Sequence, residues 1–287
     1  MSDHGLGAIE RDALAGAADA DNSTAGQGPS ERLLQAVPWL TALGLLAVWE
    51  GAARGLGLPA WLLPPPSSII GEIVARPGAF AMHALVTSGE VLLGFLLSVA
   101  VGVPLAFGIA GSRVFERAVY PLLVASQAIP KVAIAPLLIV WFGFGTTPKV
   151  IVAFLIAFFP VVIDTVVGLR AIEPEMLHLA HSMGATRWQT FVKIRLPRAL
   201  PSIFGGLKVA ITLAVVGAIV GEFVASDRGL GHVLMIASGE MNSRLLFAAI
   251  LVLTLLGVAF FVIIERLERL CIPEQARRAA DSAHGGA

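Results

Sequence analysis

Apolar residues in this chain come in blocks close to twenty long, not in the strict alternation of a half-buried strand. Six blocks separate: residues 33–53, 88–112, 118–144, 149–169, 203–225 and 245–267. Residues 91–112 and 245–264 carry no charged side chain, and each reaches the roughly 20 residues that take a helix across a hydrocarbon core. The pattern predicts an all-α integral membrane protein with six transmembrane helices over residues 31–271. Residues 1–30, mostly Ala, Gly, Ser and Asp, read as a disordered tail, and residues 272–287 as a second, flexible one.

The connections are as informative as the blocks. Leu63-Pro64-Pro65-Pro66-Ser67-Ser68 cannot continue a helix, and the mildly apolar stretch after it, to Phe80, predicts a short surface helix. The third block contains Pro121, Pro130 and Pro136, with Lys131 among apolar neighbours. Each proline removes a backbone donor, so a broken span is expected there, with protein or water beside it. Gly143-Phe144-Gly145-Thr146-Thr147-Pro148 supplies a tight bend into the fourth block.

Composition agrees: 56% of the 287 residues are hydrophobic and 14% charged, against roughly 45–50% and about 25% in soluble domains. The net charge is zero, so nothing points to nucleic acid. The cations are unevenly placed. Arg113, Arg117, Arg170, Arg187, Lys193, Arg195, Arg198, Arg266 and Arg269 fall on one side with both tails. Arg54, Arg76, Lys149, Arg228 and Arg244 fall on the other. The richer side is expected in the cytoplasm, with both termini. Cys271 is the single cysteine, which excludes an internal disulfide. No Gly-Lys dipeptide occurs, so the phosphate-binding loop of an ATPase is absent.

Residues 171–201 are too polar to span and too patterned for a slack loop. Glu173-Pro174-Glu175 is a good helix start. Met176, Leu179, Ala180 and Met183 follow at helical spacing, as one apolar stripe. Gly184 suits a helix C-terminus, and Thr186-Arg187-Trp188-Gln189 has the form of a capping box opening a second helix. Trp188, Phe191 and Val192 would form its apolar face, and Pro197 and Pro201 are expected to punctuate the return to the membrane.

His178-Leu179-Ala180-His181-Ser182-Met183-Gly184 followed by Ile194-Arg195-Leu196-Pro197 resembles the E-A-A-x-x-x-G-x(9)-I-x-L-P signature of ABC importer permeases. His178 and Leu179 depart from it; Ala180, Gly184, Ile194, Leu196 and Pro197 fit. Ile129-Pro130-Lys131, Trp141-Phe142-Gly143-Phe144-Gly145, Phe158-Phe159-Pro160, Gly221-Glu222-Phe223 and Gly229-Leu230-Gly231 are similar to the nitrate, sulfonate and taurine branch. The resemblance implies the ABC importer permease fold in a bacterial inner membrane. It also implies a permease dimer, two copies of a separate ATPase that binds ATP and Mg, and an extracytoplasmic solute-binding protein. Residues coupling to the ATPase would be Met176, His178, Leu179, Ala180, Met183, Gly184, Ala185, Trp188, Ile194, Leu196 and Pro197. The solute would be small and polar or anionic, sulfonate-like or pyrimidine-precursor-like.

Ionisable and polar groups within spans are costly and usually face a cavity or one another. Ser126, Gln127, Lys131, Asp164, Thr165 and Glu222 are the candidates for a translocation path. Glu222 and Glu90 have the alternative reading of helix anchors, and Lys131 that of snorkelling or pairing with an acid. His178 and His181, with Glu175 a turn earlier, read as a solvated helix face in preference to a metal site. Gly205-Gly206 and Gly229-Leu230-Gly231 read as close packing and tight turns in preference to gates. A secondary carrier or channel is the rival reading; it would call for an internal repeat or breaks in both halves, and only the third block is clearly broken.

Overall fold

The computed structural model describes residues 29–272 except 58, 60 and 173, so both predicted tails lie outside the described residues. The chain divides into two compact units at Pro59 and Ala60. In the first, α1 (Pro29–Gly55) carries Pro38 within it and closes with an Arg54–Glu50 ion pair of 2.6 Å one turn apart. Trp39, Leu40, Leu43 and Leu45 are exposed along it, an apolar surface suited to lipid.

Among its described residues the second unit holds helices joined by turns, and no strand. It comprises α2 (Pro66–Ala75), α3 (Pro77–Gly111), α4 (Arg113–Gln127), α5 (Lys131–Phe142) and α6 (Thr146–Arg170). Next come α7 (Pro174–Ser182), α8 (Arg187–Thr190), α9 (Leu196–Ala225), α10 (Leu230–Gly239) and α11 (Ser243–Cys271). By length and composition α1, α3, α6, α8 with α9, and α11 each suit a span. The α4–α5 pair passes the same test only when taken together, and it is bent by 95° at its break. The break falls at the expected place: Pro130 lacks an amide hydrogen, and the chain turns between Gln127 and Lys131. The short helix after the proline run is α2. The following span starts at Pro77, earlier than the expected residue 88, because proline is compatible with a first helical turn and Arg76 alone separates it from α2.

α6 is the centre of this unit, with α3 and α9 against it. The three approach closely because the facing residues are small. A Cβ on Gly94 of α3 would lie 2.5 Å from the Ala153 side chain, and one on Gly217 of α9 would lie 2.6 Å from the Ala153 backbone. Lipid tails are as apolar as Leu, so such packing takes the part that apolar burial plays in water. Ala106 and Ile109 of α3 pack with Phe158, Phe159, Val162 and Val166 of α6, and Val119, Tyr120 and Leu123 of α4 close over them. At the opposite end of α6 from its start, Leu169 packs with Ala199 and Ile203 of α9 and with Phe107 of α3.

Residues 174–195 form the patterned loop. Gly184 ends α7 with φ +76°, and Ala185 N–H donates to the Ala180 carbonyl at 3.0 Å. The capping box is formed in both directions: Thr186 Oγ1 accepts from Gln189 N–H at 3.2 Å, and Gln189 Oε1 from Thr186 N–H at 2.9 Å. Pro197 and Pro201 do not interrupt the chain as expected. A π-helical turn over Phe191–Arg195 brings the Leu196 N–H to the Phe191 carbonyl, and α9 follows without a gap. Pro197 then follows directly on the π turn, where the hydrogen-bond register has already shifted, and Pro201 continues the same helix.

Candidate functional site

Three ionisable side chains are buried at the end of the bundle where α6 begins. Glu90 of α3, Lys149 of α6 and Glu222 of α9 are 1%, 5% and 1% exposed. A charge in such surroundings is tolerable only when paired and hydrogen-bonded. Lys149 Nζ forms an ion pair with Glu90 and donates to Ser226 Oγ at 3.0 Å. Glu222 is a second carboxylate in the field of the same ammonium. Its Oε1 accepts from Thr87 Oγ1 at 2.6 Å, and its Oε2 from the Gly231 N–H at 2.5 Å. Thr87 Oγ1 in turn accepts from the Leu230 N–H at 2.9 Å, and His83 Nδ1 from the Gly229 N–H at 3.0 Å.

Two helices, α3 and α9, thus hold one turn. Residues 229–231 open α10, and their N–H groups, which a helix start leaves without partners, are met by Thr87, His83 and Glu222. The Glu222 carboxylate also stands at the positive end of the α10 dipole. Both glycines are required here: Gly229 has φ +108°, and a Cβ on Gly231 would lie 2.7 Å from Glu222 Oε2. The expectation of packing at these glycines holds, as it does at Gly206, where a Cβ would lie 2.6 Å from that of Asp164. Gly205 has open space.

A cavity of about 840 Å³ opens beside the cluster. Lys149 and Glu222 form part of its wall with Ser226, and Phe144, Phe223, Met235, Ile236, Asp227 and His232 complete most of the rest. Of the path candidates, Glu222 alone lines it. Lys131 lies with its Nζ 4.2 Å from the centroid of the Phe159 ring, so an aromatic face and not an acid is its partner. Asp164 is half-buried beside Gly206, and Thr165 is fully buried on the same helix. Fifteen residues separate Lys149 from Asp164, roughly 22 Å along α6, so these are two places and not one. Ser126 donates to the Leu123 carbonyl at 2.7 Å, and Gln127 is exposed at the end of α4.

His83, Thr87, Lys149 and Ser226 were not among the sequence candidates. Thr87 fell one residue before the expected span, and Lys149 read as a flanking charge. The apolar run around Glu90 and Glu222 was the signal that a buried cation was required nearby.

On the loop, Leu179, Met183 and Trp188 are exposed, whereas Ala180 is buried and Met176 half-buried. The expected stripe is therefore divided between an inner and an outer part. His178, Gly184 and Pro197 are exposed, and Ala185, Ile194 and Leu196 half-buried; the His181 side chain lies outside the described residues. Trp188 stacks on Phe191 with ring centroids 5.9 Å apart, and Phe191 meets Phe107 of α3 edge-on at 5.3 Å.

Residues 98–272 match the family model of the binding-protein-dependent transport system inner membrane component. The chain belongs to that family. It is 40% identical over 256 residues to the riboflavin transport system permease protein RibX of Chloroflexus aurantiacus, covering 86% of this chain and 96% of that one. The formylaminopyrimidine transport permease protein ThiX of Halalkalibacterium halodurans is 38% identical over 237 residues, 82% of this chain and 94% of the relative. A putative aliphatic sulfonates transport permease protein, SsuC of Escherichia coli, is 30% identical over 240 residues, 83% and 91% of the two chains. Among solved structures, an inward-facing form of the MetNI methionine ABC transporter matches with a TM-score of 0.59 at 18% identity, over 69% of this chain and 99% of the other. That likeness shows a common fold. The chain is accordingly an ABC importer permease of the membrane, built of helices alone among its described residues.

Proposed function

We propose that two copies of this chain form the translocation path of a bacterial importer and join two copies of an ATPase through residues 171–201. The observation that carries this reading is the capped loop, with Leu179, Met183 and Trp188 exposed on a rigid projection. Apolar side chains held out on such a knob suit a groove on a partner. The surplus of Lys and Arg at this end favours the cytoplasm, which leaves the α10 end facing outward, toward a solute-binding protein. ATP and Mg would be bound by the partner, a reading supported by the lack of a Gly-Lys dipeptide in the sequence. Closing of the ATPases would shift the permease between two conformations, by moving a loop continuous with α9.

The solute we favour is a flat heterocycle of the kind named for the two relatives near 40% identity, over the sulfonate named for the relative at 30%. The assembly is tested by purifying the tagged chain from native membranes in mild detergent. Recovery of an ATPase with the wild-type chain and its loss from Gly184→Asp supports the reading. An intact complex in that variant removes residues 171–201 from the interface.

A further inference from the structure

The cavity beside Lys149 and Glu222 has a chemistry of its own. Its volume, about 840 Å³, lies within the few hundred to a thousand Å³ typical of small-molecule sites. Phe144 is 84% exposed, and Phe223 and Met235 are 41% and 49% exposed, so two aromatic side chains and a thioether are accessible in the lining. Such groups bind the faces of flat aromatic molecules. Ser226, Asp227 and His232 supply hydrogen-bonding groups on the same surface.

Charge decides between solutes. Among the lining residues Lys149 is the one cation, against the carboxylates of Glu222 and Asp227. That cation is already engaged by Glu90 and Ser226. Arg228, next to the cavity, leans on Asp227 at 3.8 Å. Glu222 is likewise held by Thr87 and the Gly231 N–H, so a small anion such as a sulfonate or nitrate would find no unengaged Lys or Arg among the lining residues. A neutral ring with N–H groups on its edge would meet acceptors instead.

We propose that this cavity is a solute-receiving subsite of the permease, selective for a flat, uncharged heteroaromatic ring over a small anion. The proposal rests on the importer reading above and assigns Phe144 and Met235 the role of ring contacts. Both are exposed, so their removal leaves the buried cluster intact.

The test uses the full chain in its native strain and, purified, in lipid nanodiscs. Uptake of riboflavin, a formylaminopyrimidine and taurine is measured in cells carrying the wild-type chain or a deletion, and the same three compounds are dialysed against the nanodiscs. The wild type is expected to take up and retain a heterocycle and not taurine. Phe144→Ala with Met235→Ala should weaken retention about tenfold, the loss expected of two such ring contacts, with membrane level and ATPase recovery unchanged. Phe144→Trp should keep retention. Heterocycle uptake by the wild type with unaltered retention in the double variant overturns the subsite and leaves the importer reading standing. Taurine uptake in place of the heterocycles overturns both the selectivity and the heterocycle assignment.

Discussion

The carboxylate of Glu222 lies so close beneath Gly229 that a Cβ on that glycine would overlap it. The contact is made by the turn at its tightest point, where φ is +108° and the Gly229 N–H is already given to His83 Nδ1. Gly229→Ala is therefore doubly opposed, by backbone conformation and by space. A loss of roughly 2–4 kcal/mol is expected, within the range for strain combined with overpacking. It would appear as a lower thermal midpoint of the detergent-solubilised chain. Gly205→Ala, with open space around its Cβ position, serves as the control and should leave the midpoint in place.

Lys149 presents a sharper case. Replacing it by Met strips the counter-charge from Glu90 while leaving that carboxylate buried. Breaking a buried pair from one side costs about 3–5 kcal/mol, whereas removing both charges is often close to neutral. Lys149→Met should therefore fold in low yield, and Lys149→Met with Glu90→Gln should recover much of it. A cycle of the two single variants and the double, read by thermal midpoint, gives the interaction directly. Additive effects would show that the two side chains do not depend on each other.

How far this site was legible in the sequence follows from what makes it. Spans are local in sequence: apolar length placed α6 and α11 to within a few residues, but the starts of α3 and α9 were missed, because Pro77 began a helix and Pro197 and Pro201 were carried within one. The capping box and Gly184 were legible for the same reason, since their partners lie three to five residues away. The buried cluster was not, because Thr87 and Glu222 are 135 residues apart and nothing local records their meeting. Its acids could be suspected from cost alone. Which cation answers them could not be read, since Lys149 stands three residues inside a helix end, where a snorkelling lysine would look the same. Likewise the π turn before Pro197 depends on backbone registration, which composition does not reveal.

Lys131 separates two accounts of solute recognition. If it attracted a substrate anion, removing its charge would abolish uptake. Its ammonium instead rests on the Phe159 ring, next to the break that precedes α5. Lys131→Met should cost the chain about 0.5–2 kcal/mol, the worth of a cation–π contact, and leave uptake of a neutral heterocycle within about twofold of wild type. Lys131→Arg should restore the midpoint. Complete loss of uptake in a stably inserted Lys131→Met chain would return this residue to the path.

The loop allows geometry and contact surface to be told apart. Gly184 sets the backbone, at φ +76°, where any side chain is strained by about 1 kcal/mol. Leu179 and Met183 present surface and are exposed. The loop is joined to α9 through the π turn, and to α3 through the ring contacts of Trp188, Phe191 and Phe107. Leu179→Asp with Met183→Asp should thus remove the ATPase from the purified complex while leaving the thermal midpoint of the chain unchanged, because neither side chain is buried in it. Phe191→Ala should do the reverse. The ATPase should still co-purify, but the aromatic connection to α3 is lost, so ATP hydrolysis should continue with solute uptake reduced about two- to tenfold, a loss set by the roughly 0.5–1.5 kcal/mol that an aromatic pair contributes. Normal uptake in Phe191→Ala would place the transmission of motion in α9 alone.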